Sequence, residues 1–288
     1  MNFYTDAQNE TDHLLRELMG YGVSVLRRAQ IGDRLVAISD RRYGIGVDRN
    51  GVPEIAWCLV DLPKLRGDSQ TAHIEMEEPE LGMLPLTIPF NMAKYPIAYT
   101  QMQAFYEAED GYEQDYWWEG LAVQRKIWEQ NSEIANRPAE NMNWYTAVAF
   151  CRWLSQRLGF EVRLPTEAEW WLAATLGDQT RIYPWGSDWN SAYANTNEGG
   201  LGRTTAVGMF PRGAAPCGTL DMIGNVWEWC LNEADKPNTV VFDSGWWKAS
   251  RGGAFMDSNR VSVVSRNNVS PINSFAFCGF RVMSVHSM

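Results

Sequence analysis

The sequence has little of what several large classes of protein require. Its net charge is −10, with 25 Lys and Arg against 35 Asp and Glu, and it has no basic cluster that would bind nucleic acid. No stretch approaches the roughly 18–20 consecutive apolar residues of a membrane span. Residues 1–6 lack the basic and apolar regions of a signal peptide, so we expect a cytoplasmic protein.

Cysteine and histidine are also scarce. No two cysteines form a C-x-x-C pair, and their wide spacing favours free, buried thiols over disulfides or a zinc site; the five are Cys58, Cys151, Cys217, Cys230 and Cys278. The three histidines, His13, His73 and His286, are not spaced as paired metal ligands on one helix face. A G-x-S-x-G motif, a P-loop and a dinucleotide fingerprint are absent too, which excludes the common hydrolase and nucleotide sites.

Large aromatic side chains are abundant instead. The chain has 14 tryptophans and is 45% hydrophobic, so a fold with long irregular loops can still bury enough area. Apolar spacing predicts a helix over residues 12–28 and an amphipathic helix that begins after Asn143. Thr166 and Glu169 form a capping-box pattern that predicts a further helix start.

The β structure is expected at both ends of the chain. Residues 34–60 alternate polar and apolar positions around a turn signal, which predicts a β-hairpin. After Gly177 short apolar runs alternate with turn residues, so the fold class is α+β. We expect an N-terminal helix and β-hairpin extension over residues 1–54, whose helix could dock a partner or pack on its own domain, and a main domain over residues 55–288.

The C-terminal segment, residues 251–281, has an unusual composition. It begins with RGG at 251–253, ends with GFR at 279–281, and from residue 251 to the end of the sequence there is no Lys, Glu, Gln or Trp. Between these fixed ends the segment is rich in Ser, Asn, Val and Phe. A rigid frame around replaceable residues is typical of a binding surface. A catalytic site, in contrast, needs the same residues in every copy.

An ordered series of motifs resembles the formylglycine-generating enzyme, or sulfatase-modifying factor, family. The series comprises RLPTEAEW at 163–170, YPWG at 183–186, ANT at 194–196, LDMIGNVWEW at 220–229, and the RGG and GFR motifs. The resemblance covers roughly residues 55–282 and implies a C-type-lectin-like fold. Within it we expect a turn at Gly224, and Glu228 facing away from Trp227 and Trp229 towards a backbone N–H, a cation or an arginine such as Arg266 or Arg281.

The catalytic branches of this family imply metal sites whose ligands this sequence does not have at the corresponding positions. In the copper oxidases two cysteine thiolates hold Cu(I), and in the family's register those positions are Asp257 and Ser262. The sulfoxide synthases hold iron with histidines from an attached helical bundle, and we expect residues 1–54 to be too short to form one. We therefore expect a non-enzyme that requires no cofactor, with a metal-dependent oxidase or sulfatase-modifying enzyme as the alternative.

Calcium is a second metal that the resemblance implies. Family members resemble calcium binders at the Ala-Asn-x and Gly-Asn-x-Trp-Glu motifs, where oxygen atoms of carbonyls, amides and carboxylates suit the ion. In this sequence the residues at the calcium-binding positions of those motifs are Asn195, Thr196, Asn225, Val226 and Glu228. The alternative is that hydrogen bonds alone hold these loops.

The best resemblance is to the variable proteins of diversity-generating retroelements. Randomising the adenines of an AAC codon gives NNC, which cannot encode Lys, Glu, Gln, Trp or Met. The C-terminal segment obeys this filter except at Met256. The resemblance implies a binding surface for an unidentified protein or other macromolecule, built from Phe255, Asp257, Ser258, Asn259, Val261, Ser262, Asn267, Asn268, Val269, Ser270, Ile272, Asn273, Phe275, Ala276 and Phe277. Ser and Asn adapt their hydrogen bonds while Phe supplies contact area, as in paratopes.

Overall fold

A computed structural model describes residues 3–63, 72–78, 82–122, 125, 127, 129–274 and 277–286. Five α-helices in it are α1 (Phe3–Leu18), α2 (Val25–Ala37), α3 (Tyr99–Glu107), α4 (Trp144–Leu158) and α5 (Glu167–Thr175). The strands are β1 (Trp57–Val60), β2 (Ala72–Glu78), β3 (Gly82–Ile88), β4 (Phe90–Ala93), β5 (Trp227–Glu233), β6 (Lys248–Arg251), β7 (Arg266–Val269), β8 (Cys278–Gly279) and β9 (Met283–Ser284). Helices and short strands joined by long loops confirm the α+β class. Within the described residues, each helix is too short or too polar to cross a membrane.

Three small sheets organise the chain. One has the strand order β1-β4-β9, another is the antiparallel pair β2-β3, and the third has the order β7-β6-β5-β8. In the third sheet β5 lies antiparallel to β6 and parallel to β8. Glu228 of β5 is therefore paired with Arg251 on one side and with Gly279 on the other, so that both ends of the C-terminal segment meet the same central strand.

The two central helices form where the sequence predicts them. The side chain of Asn143 accepts a hydrogen bond from the Thr146 N–H at 2.8 Å and caps α4, which ends at Gly159 with φ +78°. Thr166 and Glu169 make the predicted capping box at the start of α5. Because each signal lies within one turn of the helix it caps, the sequence alone is enough to locate these helices.

The N-terminal prediction is wrong in its details. Residues 12–28 do not form one helix, because α1 ends at Leu18 and a turn through Gly22, with φ +79°, precedes α2, which Ser24 caps. The predicted hairpin over 34–60 is reduced to an isolated bridge between Val47 and Pro53, followed by β1. Part of the alternation that predicted strands belongs to the final turns of α2 and to the loop that follows.

Helices α1 and α2 pack on each other and on the rest of the chain. Ile31 and Leu35 are fully buried, in a cluster that also contains Met209 and Phe210. The guanidinium of the buried Arg28 donates to the carbonyl oxygens of Leu18 and Met209, each at 3.0 Å. The apolar faces of these helices are thus used within the chain. A partner for the N-terminal helix and the boundary at residue 54 stay predictions.

The main core lies on both faces of the third sheet. Trp229 is fully buried in a cluster that contains Trp144 and Trp153 of α4, while Trp170 and Trp171 of α5 belong to a second cluster. Trp227 lies in the first cluster with Trp229, and Glu228 points elsewhere, to Arg281, as expected for an extended strand.

Candidate ligand-binding surface

The first end of the C-terminal segment is held by a buried carboxylate at the start of α5. Oε1 of Glu167 accepts hydrogen bonds from Nε of Arg251 at 2.8 Å and from Nε of Arg266 at 3.0 Å. Its Oε2 accepts from Nη2 of Arg266 and from the side-chain amide of Asn232. Arg251 is fully buried, so this charge network fixes β6 and β7 on α5.

The other end is held by a second buried carboxylate. The guanidinium of Arg281 donates to both oxygens of Glu228, each at 2.6 Å, and the indole N–H of Trp170 donates to Oε2 at 2.7 Å. Burial disfavours the charge on Arg281, but the facing carboxylate outweighs it and raises the pKa of the guanidinium above its ordinary value. The predicted pairing of Glu228 with Arg281 is confirmed.

Glycines complete the frame at residues 251–253 and 279–281. Gly253 has φ +74°, and a Cβ there would lie 2.5 Å from Cγ1 of Val261. A Cβ at Gly279 would lie 2.5 Å from the carbonyl oxygen of Ala139. The turn expected before β5 is also present, with φ +80° at Gly224 and +67° at Asn225. A side chain at either frame glycine would push the backbone out of position.

Inside this frame the predicted surface residues divide by exposure. Five are half-buried, namely Phe255, Asp257, Ser262, Ser270 and Phe277. The six exposed ones, which we call the exposed set, are Ser258, Asn259, Asn267, Asn268, Ile272 and Asn273. Met256, the exception to the codon filter, is also exposed. The segment thus presents mostly small polar side chains to solvent.

Two of the predicted surface residues belong to the core. Val261 is 8% exposed and lies in a cluster with Ala194 and Ile223. Val269, at the end of β7, is 4% exposed within the main core. Their apolar side chains are buried because the segment packs on the loops beneath it. The structure places these two side chains inside the protein and not on its surface, and their contact with a ligand stays a prediction; Phe275 and Ala276 lie outside the described residues.

The loop at 194–199 supports the segment from below. The backbone N–H of Asn197 donates to the Asp257 carbonyl at 2.9 Å. Glu198 accepts from the backbone N–H of Asn259 at 2.5 Å and from the hydroxyl of Thr196 at 2.8 Å. The part of the segment that carries Asp257 and Asn259 is consequently fixed by backbone contacts, which leaves the Asn259 side chain free of that task.

Comparison with known proteins now identifies the family. The family model for the sulfatase-modifying factor enzyme 1-like domain matches residues 70–285. The chain belongs to this family. An inactive C-alpha-formylglycine-generating enzyme 2 of Bos taurus is 30% identical over 58% of this chain and 58% of its own length. The formylglycine-generating enzyme of Thermomonospora curvata is 28% identical over 83% of this chain and 97% of its own length.

A solved structure confirms the fold that the family resemblance implies. Treponema denticola variable protein 1 superposes with a TM-score of 0.54 at 22% identity, covering 75% of this chain and 92% of its own. The chain therefore has the C-type-lectin-like fold of the sulfatase-modifying factor family and of variable proteins.

The two positions that hold copper cysteines in the family's register have structural contacts here. Oδ2 of Asp257 accepts from the backbone N–H of Ala254 at 2.8 Å, and the backbone N–H of Ser262 donates to Oγ of Ser265 at 2.9 Å. All five cysteines are free thiols, as predicted. Burial raises the pKa of Cys230 and of Cys278 well above the ordinary value, which disfavours the thiolates that Cu(I) prefers.

Among the five residues of the family's calcium motifs, Glu228 does not fit a calcium ion, and the calcium site as a whole stays a prediction. Both oxygens of Glu228 are bound by Arg281, whose positive charge would repel a cation. Oδ1 of Asn225 accepts from the side-chain amide of Asn195 at 3.1 Å and from the Thr205 N–H at 2.9 Å. The hydroxyl of Thr196 donates to Glu198, and the N–H of Val226 donates to the Gly224 carbonyl. These contacts support the alternative that hydrogen bonds hold the loops.

Sequence reasoning missed a polar cavity beside the segment. It has a volume of about 410 Å³, and Phe255 lines it together with Glu140, Arg137 and Arg203. The last three residues lie outside the motifs, and nothing in their local pattern indicates that they meet Phe255. We call this space the Glu140 cavity.

Proposed function

We propose that the protein is a non-catalytic ligand-binding protein that presents a diversified C-terminal surface on a C-type-lectin-like scaffold. The observation that carries the proposal is the contrast within residues 251–281. The frame is buried, paired with Glu167 and Glu228 and dependent on glycine, whereas the exposed set is solvent-facing. Residues of the exposed set can change without removing the frame's contacts.

The composition of the exposed set supports the same function. It contains four Asn, one Ser and one Ile, all of which an NNC codon encodes. The fold shared with Treponema denticola variable protein 1 supports the scaffold alone. The ligand on this proposal is a protein or another macromolecule, because the exposed positions are spread over a surface.

A display library tests this proposal directly. The six positions of the exposed set are randomised with NNC codons, and folded clones are scored by resistance to protease. Most clones should fold, and binders to an arbitrary protein target should be selectable from them. The matched control randomises the buried positions Val261, Val263 and Val269, where most clones should be cleaved. Widespread cleavage in the first library, or none in the second, would contradict the proposal.

The genome offers a second test. The proposal requires a near-identical, Asn-rich copy of the segment's coding sequence beside a reverse transcriptase gene. It further requires that the mismatches between the two copies fall at adenines of the template. Finding no such copy would remove the diversified character and leave an interaction module of fixed sequence.

The alternative function is an oxidase of the formylglycine-generating type, favoured by the 28% identity with the Thermomonospora curvata enzyme over 83% of the chain. Its test is copper analysis together with oxidation of a cysteine-containing peptide. We expect no turnover, because Asp257 and Ser262 offer no thiolates. Stoichiometric copper with turnover would replace the binding proposal.

A further inference from the structure

The Glu140 cavity has the features of a built polar site. Its volume of about 410 Å³ would hold a side chain or a small ligand, and its lining includes Asn131, Ser132, Arg137, Glu140, Arg203 and Phe255. Phe255 belongs to the C-terminal segment, while Arg137 and Glu140 lie just before α4. Asn131 is exposed and Phe255 half-exposed, so the cavity opens beside the proposed binding surface.

Two buried polar groups in the lining have unused hydrogen-bonding capacity. Glu140 is 1% exposed, and its Oε2 accepts no hydrogen bond from the described residues. Arg137 is 7% exposed, and its Nε likewise has no partner within the described part of the chain. A buried polar group without a partner is costly, so each is a place where a ligand gains by binding.

These two groups are chemically complementary. One is an acceptor and the other a donor, so a ligand that satisfies both must itself carry a donor and an acceptor. Each of the other two nitrogens of Arg137 already has a partner, since Nη2 donates to Asp33 at 2.9 Å and Nη1 donates to Ser132 at 3.2 Å. The chemistry of the ligand is therefore set by Oε2 of Glu140 and Nε of Arg137, and not by the two whole side chains.

The charges around the cavity favour an uncharged ligand. Asp33 bridges the two arginines, accepting from Arg137 and from Arg203, each at 2.9 Å. With Glu140 ionised, the two arginines and two carboxylates balance. Burial raises the pKa of Glu140 to about 7, so this balance holds at pH values above 7.

We propose that the Glu140 cavity binds an uncharged amide of the protein's ligand, with the amide N–H donating to Glu140 and the amide oxygen accepting from Arg137. This subsite rests on the proposed binding function and deepens it, because Phe255 places the cavity at the rim of the C-terminal segment. An amide carries its donor on the nitrogen and its acceptor on the oxygen, so one neutral group can serve both side chains through two separate atoms.

Three probes of equal chain length separate the ligand classes: butyramide, butylammonium and butyrate. Each is titrated into the full-length protein while the backbone amide signals of Gly202, Thr204 and Phe255 are followed by NMR. Butyramide should shift these signals with a dissociation constant of roughly millimolar size, since it has few atoms. Shifts with butylammonium or butyrate but not with butyramide would overturn the proposal. N-methylacetamide, run in parallel, distinguishes a backbone-type or N-acetyl amide from the primary amide of a side chain.

A matched pair of variants assigns the shifts to the cavity. Glu140→Leu removes the acceptor and should weaken butyramide at least tenfold. Glu133→Leu alters an exposed carboxylate of the same loop and should leave the affinity unchanged. Equal affinity in the two variants would refute the role of Glu140. If Glu140→Leu fails to fold, Phe255→Ala, which widens the rim of the cavity, is compared with the native protein instead. Butyramide-induced shifts that are the same in both proteins would count against the site.

These titrations need no protein ligand and no change in the exposed set. The library and the genomic search can therefore fail while butyramide still binds, and the reverse can also occur. Failure of the diversified surface and failure of the amide site are therefore distinguishable.

Discussion

At the scale of single residues, two buried carboxylates determine where the C-terminal segment lies. Glu167 and Glu228 each bind arginines of the segment, and both are at least 99% buried. A buried ion pair adds little stability over an apolar pair of the same size, but it is costly to break. The arrangement therefore specifies one position for the segment and penalises others.

Arg281→Met tests this dependence. The change leaves Glu228 buried without its cation, and we expect the free energy of unfolding to fall by about 3–5 kcal/mol in urea denaturation. Arg260→Met, at an exposed position of the same segment, should change it by less than about 0.5 kcal/mol. Adding Glu228→Gln to Arg281→Met should recover part of the loss. Equal stability of the two single variants would show that the Glu228 pair is dispensable.

Glu140 gives the protein a pH dependence. Burial raises its pKa from 4.5 to about 7, so the folded state holds a proton that the unfolded state releases between these values. Stability should therefore decrease as pH rises from about 4.5 to 7, and then remain at the lower level. Asp221 contributes in the same direction, with a pKa raised by burial to about 6.

The comparison of Glu140→Gln with the native protein isolates this effect. The free energy of unfolding of the variant, relative to the native protein, should grow by roughly 2–3 kcal/mol between pH 4.5 and 7.5. Urea denaturation at several pH values measures it. Because Asp221 is present in both proteins, its slope cancels. Parallel curves would mean that Glu140 does not titrate in this range.

At the scale of elements, the sequence predicted the helices whose start is determined by residues next to it in the chain. The caps at Asn143 and Thr166 lie next to the helices they start, so α4 and α5 could be predicted. The extent of α2 could not, because its buried face meets Met209 and Phe210 far along the chain. In the same way, the burial of Val261 depends on Ala194 and Ile223, and no residue near it in sequence indicates this.

The site shows the same limit. The frame and the exposed asparagines could be predicted, since motifs and composition mark them. The Glu140 cavity could not, because Phe255, Glu140 and Arg203 come to line one space only in the folded chain. The burial of Glu140 also has no local sequence signal, since Glu is normally a surface residue.

Gly253 tests the frame as a structural element. In Gly253→Ala the new Cβ meets Val261 at 2.5 Å in addition to the strain of φ +74°. In Gly202→Ala the φ is +62°, but the Cβ meets nothing within 4 Å. We expect Gly253→Ala to lose roughly 1–3 kcal/mol more in thermal or urea unfolding, the cost of overpacking. An equal loss of unfolding free energy in both variants would show that the contact between the new Cβ and Val261 does not destabilise the protein.

At the scale of the whole molecule, the N-terminal helices share a hydrophobic cluster with residues of the C-type-lectin-like body. Arg28 reaches the Met209 carbonyl, and Ile31 is buried in a cluster with Phe210. Such contacts predict that the extension unfolds together with the body and not as a separate unit.

Tryptophan fluorescence can test this coupling, because all 14 tryptophans lie at residue 57 or beyond. Ile31→Ala should shift the fluorescence-detected urea midpoint downwards, corresponding to a loss of about 2–5 kcal/mol. Leu26→Ala, at a position that is 59% exposed, should leave it nearly unchanged. An unaltered midpoint in Ile31→Ala would instead show that the helices unfold independently.

The register around Glu228 has a consequence for length. Since Arg251 and Gly279 flank the same residue of β5, the two ends of the segment lie about two strand spacings, or roughly 10 Å, apart. A chain closed over so short a gap can be lengthened cheaply, because doubling a flexible loop costs only about 0.6 kcal/mol. The exposed turn at Ile272 and Asn273, which follows β7, is therefore a natural place for insertions, and whole peptides could be grafted there without moving either end of the segment.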